Sequence, residues 1–156
     1  MNDGLEGIRS RFSQFVKIFP ANHVVLDCAF HILCRQQHLD EVEPDAELMA
    51  YARGKKPQKH GSRWTEAKRI YFPVNYKNNH WILLVVEVEE LQIRVYDSHR
   101  VYISDFELRI LMEPYVTMLP KMLHRSLPFV PEKLVPYEKE FTYERLGDDV
   151  VPQCSK

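Results

Sequence analysis

The stretch "YKNNHWILLVVEVEELQIRVYDS", residues 76–98, contains two apolar runs with two adjacent glutamates between them. Both runs are rich in β-branched and aromatic residues, which favour β-strands. We therefore predict strands at His80–Val88 and Leu91–Asp97, and the first is apolar enough to be covered on both faces. Glu89 and Glu90 fit a tight turn, so the sequence predicts a β-hairpin.

A histidine and an aspartate stand at the open end of this hairpin. If Val88 pairs with Leu91, Ile82 lies opposite Asp97. Because side chains alternate along a strand, His80 and Asp97 then share one face as diagonal neighbours, with backbones roughly 7–8 Å apart. Moving the turn by one residue on each side would pair them directly, whereas a three-residue loop would send them to opposite faces. The spacing predicts a contact between imidazole and carboxylate.

Such a contact has a chemical use. A carboxylate that accepts a hydrogen bond from one imidazole nitrogen fixes the tautomer and leaves the other nitrogen free as a base. It also stabilises the imidazolium once a proton has been taken. From these residues alone, a structural pair at the rim of a sheet remains the alternative.

The sequence before the hairpin predicts another strand and a helix. "RIYFPV", residues 69–74, is rich in strand-forming residues. Residues 22–37 place Leu26, Phe30 and Leu33 at the spacing of a core-facing helix, with Asn22 as its N-cap.

The sequence after the hairpin predicts a second helix over residues 104–123. Ser104 and Glu107 fit a capping box at its start, and Pro114 is expected to kink or end it. Weak strand signals follow in "EFTYERL" (140–146) and "DDVVPQ" (148–153). This order of elements predicts a single α+β domain with a mixed or antiparallel sheet.

Composition sets further limits. The 156 residues are 45% hydrophobic and 28% charged, with a formal net charge of -1, which is typical of a globular domain and excludes a disordered one. The charge gives no reason to bind nucleic acid, and no apolar stretch approaches the roughly 20 residues of a membrane span. Three cysteines cannot all pair internally and are typical of a reducing compartment, so we expect an intracellular protein of the nucleus or cytoplasm.

Two other patterns receive structural interpretations. The basic segment Tyr51–Arg63 is interpreted as an exposed connection, with a nucleic-acid contact or a nuclear-targeting signal as the alternative. Cys28, His31, Cys34 and His38 fall on one side of the first helix, but they span about 15 Å, too far for one zinc ion. We therefore predict no metal site.

Three motifs around the hairpin resemble the ubiquitin-like-specific (SUMO/sentrin-type) cysteine proteases. They are Phe72–Asn75 ("FPVN"), His80-Trp81 and Tyr96–Ser98 ("YDS"), which match the family's Pro-Val/Ile-Asn, His-Trp and Tyr-Asp-Ser in order and spacing. The early helix also resembles the family's, although the usual tryptophan before it is absent. "VPQ" at Val151–Gln153 resembles the strand edge that carries the family's oxyanion glutamine. The likeness is greatest to divergent, plant-type members.

This resemblance covers roughly residues 22–156 and implies a papain-like (adenain-type) fold, with a central mixed or antiparallel sheet flanked by helices. It implies a cysteine-type peptidase or isopeptidase that cleaves after the C-terminal glycine of a ubiquitin-like modifier, acting as a monomer without a cofactor. His80 would be the general base and Asp97 its orienting partner. Trp81 would line a narrow channel that only glycines can pass, because they lack a Cβ.

The resemblance also shows what the sequence lacks. In the family the nucleophile follows the oxyanion glutamine in an Asp-Cys-Gly motif at a helix start, where the thiol pKa is lowered. Gln153 would be that glutamine unless Cys154 takes its position, and no Asp-Cys-Gly exists in the sequence. We interpret Cys154 as a neighbour of the oxyanion residue and not as the nucleophile. We therefore expect residues 1–156 to be one C-terminally incomplete domain without efficient activity; the alternative is an inactive module that binds the modifier.

Overall fold

The computed structural model describes residues 22–58, 61–126 and 140–154. The described residues form five strands and three α-helices. In chain order these are β1 (His23–Val25), α1 (Cys28–Leu39), α2 (Ala46–Ala52), β2 (Arg69–Tyr76), β3 (His80–Glu87), β4 (Gln92–Tyr96), α3 (Asp105–Ser126) and β5 (Thr142–Arg145), with 3₁₀ turns at Trp64–Glu66 and Arg100–Tyr102.

The strands form one mixed sheet in the order β1-β2-β3-β4-β5. The central pairs β2–β3 and β3–β4 are antiparallel, whereas β1 and β5 run parallel to β2 and β4. Helices α1 and α3 pack on one face, where the ring of Phe72 meets Phe30 and Tyr115 edge to face with centroids 4.9 and 5.4 Å away. The predicted α+β class with a mixed sheet is confirmed.

The β3–β4 hairpin has the first of the two registers considered above. Glu87 pairs with Gln92, which is the frame in which Val88 lies opposite Leu91. The regular ladder stops one residue earlier on each side, because Leu91 adopts a φ of 53° and donates its N–H to the Val88 carbonyl at 3.3 Å. The turn therefore covers residues 88–91, and the register shifted by one residue on each side is not the one adopted.

The first helix begins later than predicted. Residues 23–25 form β1 on the edge of β2, and α1 starts at Cys28, with Asp27 as its N-cap. The Asp27 carboxylate accepts the N–H of Phe30 at 3.3 Å, so the predicted N-cap at Asn22 is wrong. The reason is that two consecutive valines favour a strand, and a free sheet edge was available to pair with them.

Helix α3 begins with the predicted capping box. The hydroxyl of Ser104 accepts the Glu107 N–H at 3.2 Å, and the Glu107 carboxylate accepts the Ser104 N–H at 3.0 Å. The same carboxylate accepts hydrogen bonds from Tyr76 at 2.8 Å and Lys77 at 3.2 Å. The bonds from Ser104, Tyr76 and Lys77 lower the pKa of Glu107 to about 2, and they connect the helix start to the β2–β3 turn.

The helix does not end at Pro114, so that alternative is wrong: α3 continues through Pro114 and Pro120 to Ser126. An internal proline costs about 3 kcal/mol. Each large apolar side chain that the continued helix buries contributes about 1.5–3 kcal/mol, so burial outweighs the two prolines. The large buried side chains beyond Pro114 are Tyr115, Met118, Leu119, Met122 and Leu123.

Pro120 also frees a carbonyl group. In a regular α-helix the N–H of residue 120 would donate to the Val116 carbonyl, but proline has no N–H. The Val116 carbonyl instead accepts the backbone N–H of Phe141 at 3.0 Å. This bond attaches the chain to α3 immediately before β5, and β5 confirms the strand signal at residues 140–146.

The second strand signal, at residues 148–153, is wrong. The N–H groups of Val150 and Val151 donate to the Gly147 carbonyl at 3.0 and 2.9 Å, which forms a turn. The segment then lies beside the loop that follows β4, where the Cys154 N–H donates to the Ser98 carbonyl at 2.7 Å. The predicted strand edge is therefore an irregular segment that is nevertheless close to the open end of the hairpin.

The basic segment Tyr51–Arg63 is only partly the exposed connection that was predicted. Tyr51 and Ala52 are the last residues of α2 and are buried, and Arg53 forms an isolated antiparallel bridge with Arg63. Within the described ranges, no helix is long and apolar enough to cross a membrane.

Candidate active site

His80 and Asp97 are in contact, as the hairpin register predicted. His80 is the first residue of β3, and Asp97 directly follows the last residue of β4. His80 Nε2 lies 2.7 Å from Asp97 Oδ1, the separation of a charge-assisted hydrogen bond. Asp97 is fully buried and His80 is 7% exposed, so the pair is shielded from water on the aspartate side.

This contact assigns the roles of the two ring nitrogens. Because Nε2 faces the carboxylate, we assign its proton there, which leaves the lone pair on Nδ1. Among the hydrogen bonds of the described residues, none reaches Nδ1. This geometry leaves Nδ1 open to take a proton, and the general-base role of His80 stays a prediction.

Asp97 is held by several donors. Its Oδ1 also accepts the backbone N–H of His99 at 2.9 Å, and its Oδ2 accepts a hydrogen bond from Arg145 Nη2. Burial raises the pKa of the Asp97 carboxyl, but the hydrogen bonds from His99, Arg145 and His80 outweigh it and lower the pKa below its ordinary value. Asp97 is therefore a carboxylate at neutral pH.

Two aromatic side chains contact the His80 ring. Tyr102 stacks on it with centroids 5.3 Å apart and planes 19° from parallel, and His99 meets it edge-on at 6.3 Å. His99 and Tyr102 also contact each other at 4.4 Å. The sequence analysis missed both residues. Their position shortly after Asp97 was the only signal, because a chain that leaves a strand beside the base can fold back over it.

Gln153 also reaches this region. Its Nε2 donates to the backbone carbonyls of Asp97 at 2.9 Å and Val151 at 3.2 Å, and its Oε1 accepts the Arg100 N–H at 3.1 Å. The side-chain amide thus supports the backbone around Asp97. Its predicted role as an oxyanion donor stays a prediction, and that role requires the amide to leave these two carbonyls.

Trp81 is half-buried and lies beside a groove of about 850 Å³ between α1, α3 and the β2–β3 turn. Asn75 lines the same groove, as do the apolar side chains of Ile32 and Ile110. His80 is not among the residues that line it, as expected from neighbouring side chains that point to opposite faces of a strand. The predicted role of Trp81 in a substrate channel stays a prediction.

The cysteines differ in accessibility. Cys34 is buried in α1, where its thiol donates to the Pro114 carbonyl at 3.8 Å, and burial raises its pKa. Cys154 is exposed, and its backbone is tied to Ser98. No group of three or more His, Cys, Asp or Glu side chains within the described part of the chain could hold a metal ion.

Comparison with known proteins gives a consistent result. Residues 24–153 match the family model described as the Ulp1 protease family, C-terminal catalytic domain. No curated protein sequence matches the chain significantly.

The fold is similar to that of solved SUMO proteases. One is the SUMO protease Ulp1 with its catalytic cysteine oxidised to a sulfinic acid (TM-score 0.57, 18% identity, covering 96% of this chain and 57% of that one). Another is a de-sumoylating protease (TM-score 0.58, 13% identity, 99% and 53% covered). A third is the Ulp1 protease domain in complex with Smt3, the yeast ortholog of SUMO (TM-score 0.54, 15% identity, 96% and 56% covered). The chain thus spans little more than half the length of these structures, and the similarity confirms the predicted fold.

Proposed function

Because the chain belongs to the Ulp1 protease family and is a cysteine peptidase domain by that membership, we propose that it serves the hydrolysis of the peptide or isopeptide bond after the C-terminal glycine of a ubiquitin-like modifier. The observation that carries this proposal is the 2.7 Å hydrogen bond between His80 and the buried carboxylate of Asp97. It orients Nδ1 as the base that a thiol nucleophile requires.

The proposed reaction follows from this geometry. His80 Nδ1 takes the proton of a cysteine thiol, and the thiolate attacks the glycine carbonyl carbon to form a tetrahedral oxyanion. The imidazolium is stabilised by Asp97 through Nε2, and it gives its proton to the leaving amine as the carbon–nitrogen bond breaks. Water, deprotonated by His80, then hydrolyses the thioester and regenerates the thiol.

Substrate recognition is proposed from the resemblance and from one structural observation. The flat ring of Trp81 borders a groove that His80 does not line. Such a wall suits a glycine tail without side chains, and the proposal requires this tail to continue past the start of β3 to the His80 ring. The partner is a ubiquitin-like modifier or its conjugates, and the solved complex of a structural neighbour with Smt3 supports this choice. We propose that the protein acts as a monomer inside the cell, in the nucleus or cytoplasm.

The proposed reaction needs a nucleophilic cysteine thiol, and this requirement limits the activity of these residues. Burial of Cys34 in α1 argues against it as a nucleophile, since burial disfavours the thiolate. Asp-Cys-Gly does not occur among the 156 residues. We therefore propose that these residues bind the modifier without efficient turnover, and that turnover requires the family's Asp-Cys-Gly motif in addition.

Two measurements test this proposal. Purified chain is mixed with SUMO or ubiquitin that carries a Gly-Gly electrophilic probe, and adducts are located by mass spectrometry. We expect no efficient labelling, and robust labelling at Cys154 together with cleavage of a modifier precursor would overturn the turnover part of the proposal.

The second measurement is NMR titration of ¹⁵N-labelled SUMO or ubiquitin with the unlabelled chain. We expect the C-terminal glycine signals of one modifier to shift, and Trp81→Ala to weaken this binding. Val42→Ala is the matched control, because Val42 is an exposed apolar residue (46%) that does not line the groove. If neither modifier binds, the modifier-binding proposal fails.

A further inference from the structure

The side chain of Arg145, the last residue of β5, is buried beside the His80–Asp97 pair. Its side chain is 8% exposed. Nη2 donates to Asp97 Oδ2 and, at 3.0 Å, to the carbonyl of Arg100; Nη1 donates at 2.9 Å to the carbonyl of Ile103 and at 3.2 Å to Asp105 Oδ1. A surface arginine would not be enclosed in this way.

The sheet brings Arg145 to this position. β5 runs parallel to β4, and Arg145 lies opposite Val95, two residues before Asp97. One strand thus delivers the aspartate and its neighbour delivers the guanidinium at the same end of the sheet. The Val116–Phe141 hydrogen bond fixes the entry to β5 at the other end of that strand.

The two oxygens of Asp97 have different partners. Oδ1 accepts from His80 and from the His99 N–H, whereas Oδ2 accepts from Arg145. A fully buried carboxylate loses its hydration, and a buried charge without compensation is strongly disfavoured. Arg145 supplies a permanent opposite charge, since a guanidinium does not lose its proton in proteins.

We propose that Arg145 is a positioning residue for the His80–Asp97 pair: it holds the carboxylate in the orientation that meets His80 Nε2 and keeps that carboxylate ionised. Its catalytic meaning rests on the proposed function, whereas its effect on the pair exists in the free chain. The bonds to the carbonyls of Arg100 and Ile103 also attach the loop after β4, which carries Tyr102, to the same guanidinium.

The test is NMR spectroscopy of the labelled chain without any modifier, so a failure of modifier binding would not affect it. Two signals are followed: the side-chain carboxyl carbon of Asp97 against pH, and the His80 Nε2 proton. The variants are Arg145→Met, which removes the charge, and Arg145→Lys, which keeps the charge but lacks the two Nη donors of the guanidinium. Arg94→Met is the control, because Arg94 on β4 pairs with Glu90 at 3.3 Å and has no bond to Asp97.

In Arg145→Met we expect the pKa of Asp97 to rise and the His80 Nε2 proton to exchange with water about tenfold faster or more, the factor for losing one charge-assisted hydrogen bond. Arg145→Lys should restore the low pKa of Asp97 but only part of the exchange protection. Arg94→Met should change neither signal. Wild-type values of both signals in folded Arg145→Met would overturn the proposal.

A double-mutant cycle separates an effect of Arg145 on Asp97 from a general loss of stability, and Arg145→Lys takes the place of Arg145→Met in it if the methionine variant does not fold. Asp97→Asn removes the charge that Arg145 compensates while keeping an oxygen for the His99 N–H. We expect the melting temperature lost through Arg145→Met to be recovered in part when Asp97→Asn is present. If the two substitutions lower the melting temperature additively, Arg145 acts on the fold independently of Asp97 and the inference is wrong.

Discussion

The two prolines inside α3 provide a matched pair for testing how β5 is held. Both are buried and both lie within the same helix, so Pro114→Ala and Pro120→Ala change helix propensity, unfolded-state entropy and buried ring area in similar ways. They differ in one hydrogen bond, because only Pro120 leaves its carbonyl partner, Val116, to the N–H of Phe141 at 3.0 Å.

The magnitude follows from that difference. In Pro120→Ala the new helical N–H competes for the Val116 carbonyl, and the bond to Phe141 weakens or is lost. A typical intramolecular hydrogen bond contributes about 1 kcal/mol, so the free energy of unfolding of Pro120→Ala should be about 1 kcal/mol lower than that of Pro114→Ala. The shared terms cancel, and the comparison does not depend on their individual sizes.

The assay is urea denaturation of both variants, followed through tryptophan fluorescence, to which the buried Trp64 contributes, together with amide hydrogen exchange at Phe141. A loss of about 1 kcal/mol corresponds to roughly fivefold faster exchange of that amide in Pro120→Ala. Equal free energies of unfolding for the two variants, with wild-type exchange at Phe141, would refute the reasoning.

Three other predictions concern the cap, the acid limb of stability and the thiols. Ser104→Ala removes the hydroxyl from the capping box, so it should lower the free energy of unfolding by about 1 kcal/mol in urea denaturation. It should also raise the pKa of Glu107 from about 2, because the carboxylate loses the hydrogen bond from that hydroxyl. An unchanged stability would contradict the predicted role of Ser104 as the cap. In the folded state the pKa of Asp97 is lowered from its ordinary value of 3.8. The ionised carboxylate therefore stabilises the folded state above that pH, and this stabilisation is lost as pH falls through the lowered pKa. Asp97→Asn should therefore flatten the acid decline in melting temperature, and an identical decline in the variant would contradict this. With iodoacetamide under native conditions, mass spectrometry should show that the exposed Cys154 is alkylated before the buried Cys34. The reverse order would contradict the burial of Cys34.

The hairpin could be predicted from sequence because its determinants are local. Strand periodicity and a tight turn fix which residues face each other, and the His80–Asp97 contact follows from their separation along the chain. The capping box at Ser104 was predictable for the same reason, since both of its residues lie within one helical turn.

The errors arise where non-local packing outweighs a local pattern. Helical periodicity extended α1 back to Asn22, but an available edge of β2 turned residues 23–25 into a strand. Pro114 has the local signature of a helix end, whereas the buried side chains beyond it favour continuation. Arg145 could not be connected with Asp97, because parallel pairing of β5 with β4 joins segments that no spacing rule relates.

Asp97 contacts His80 nearby in the sequence and Arg145 far from it, and this difference predicts the order in which the two contacts form during folding. His80 and Asp97 are 17 residues apart, whereas Arg145 is 48 residues beyond Asp97. Closing the longer loop costs more chain entropy, so we expect the contact within the hairpin to form before the guanidinium arrives with β5. During synthesis on the ribosome, His80 and Asp97 would therefore meet first, and Arg145 would fix the carboxylate only afterwards. We expect the His80–Asp97 contact to be loose in a nascent chain whose β5 has not yet left the ribosome.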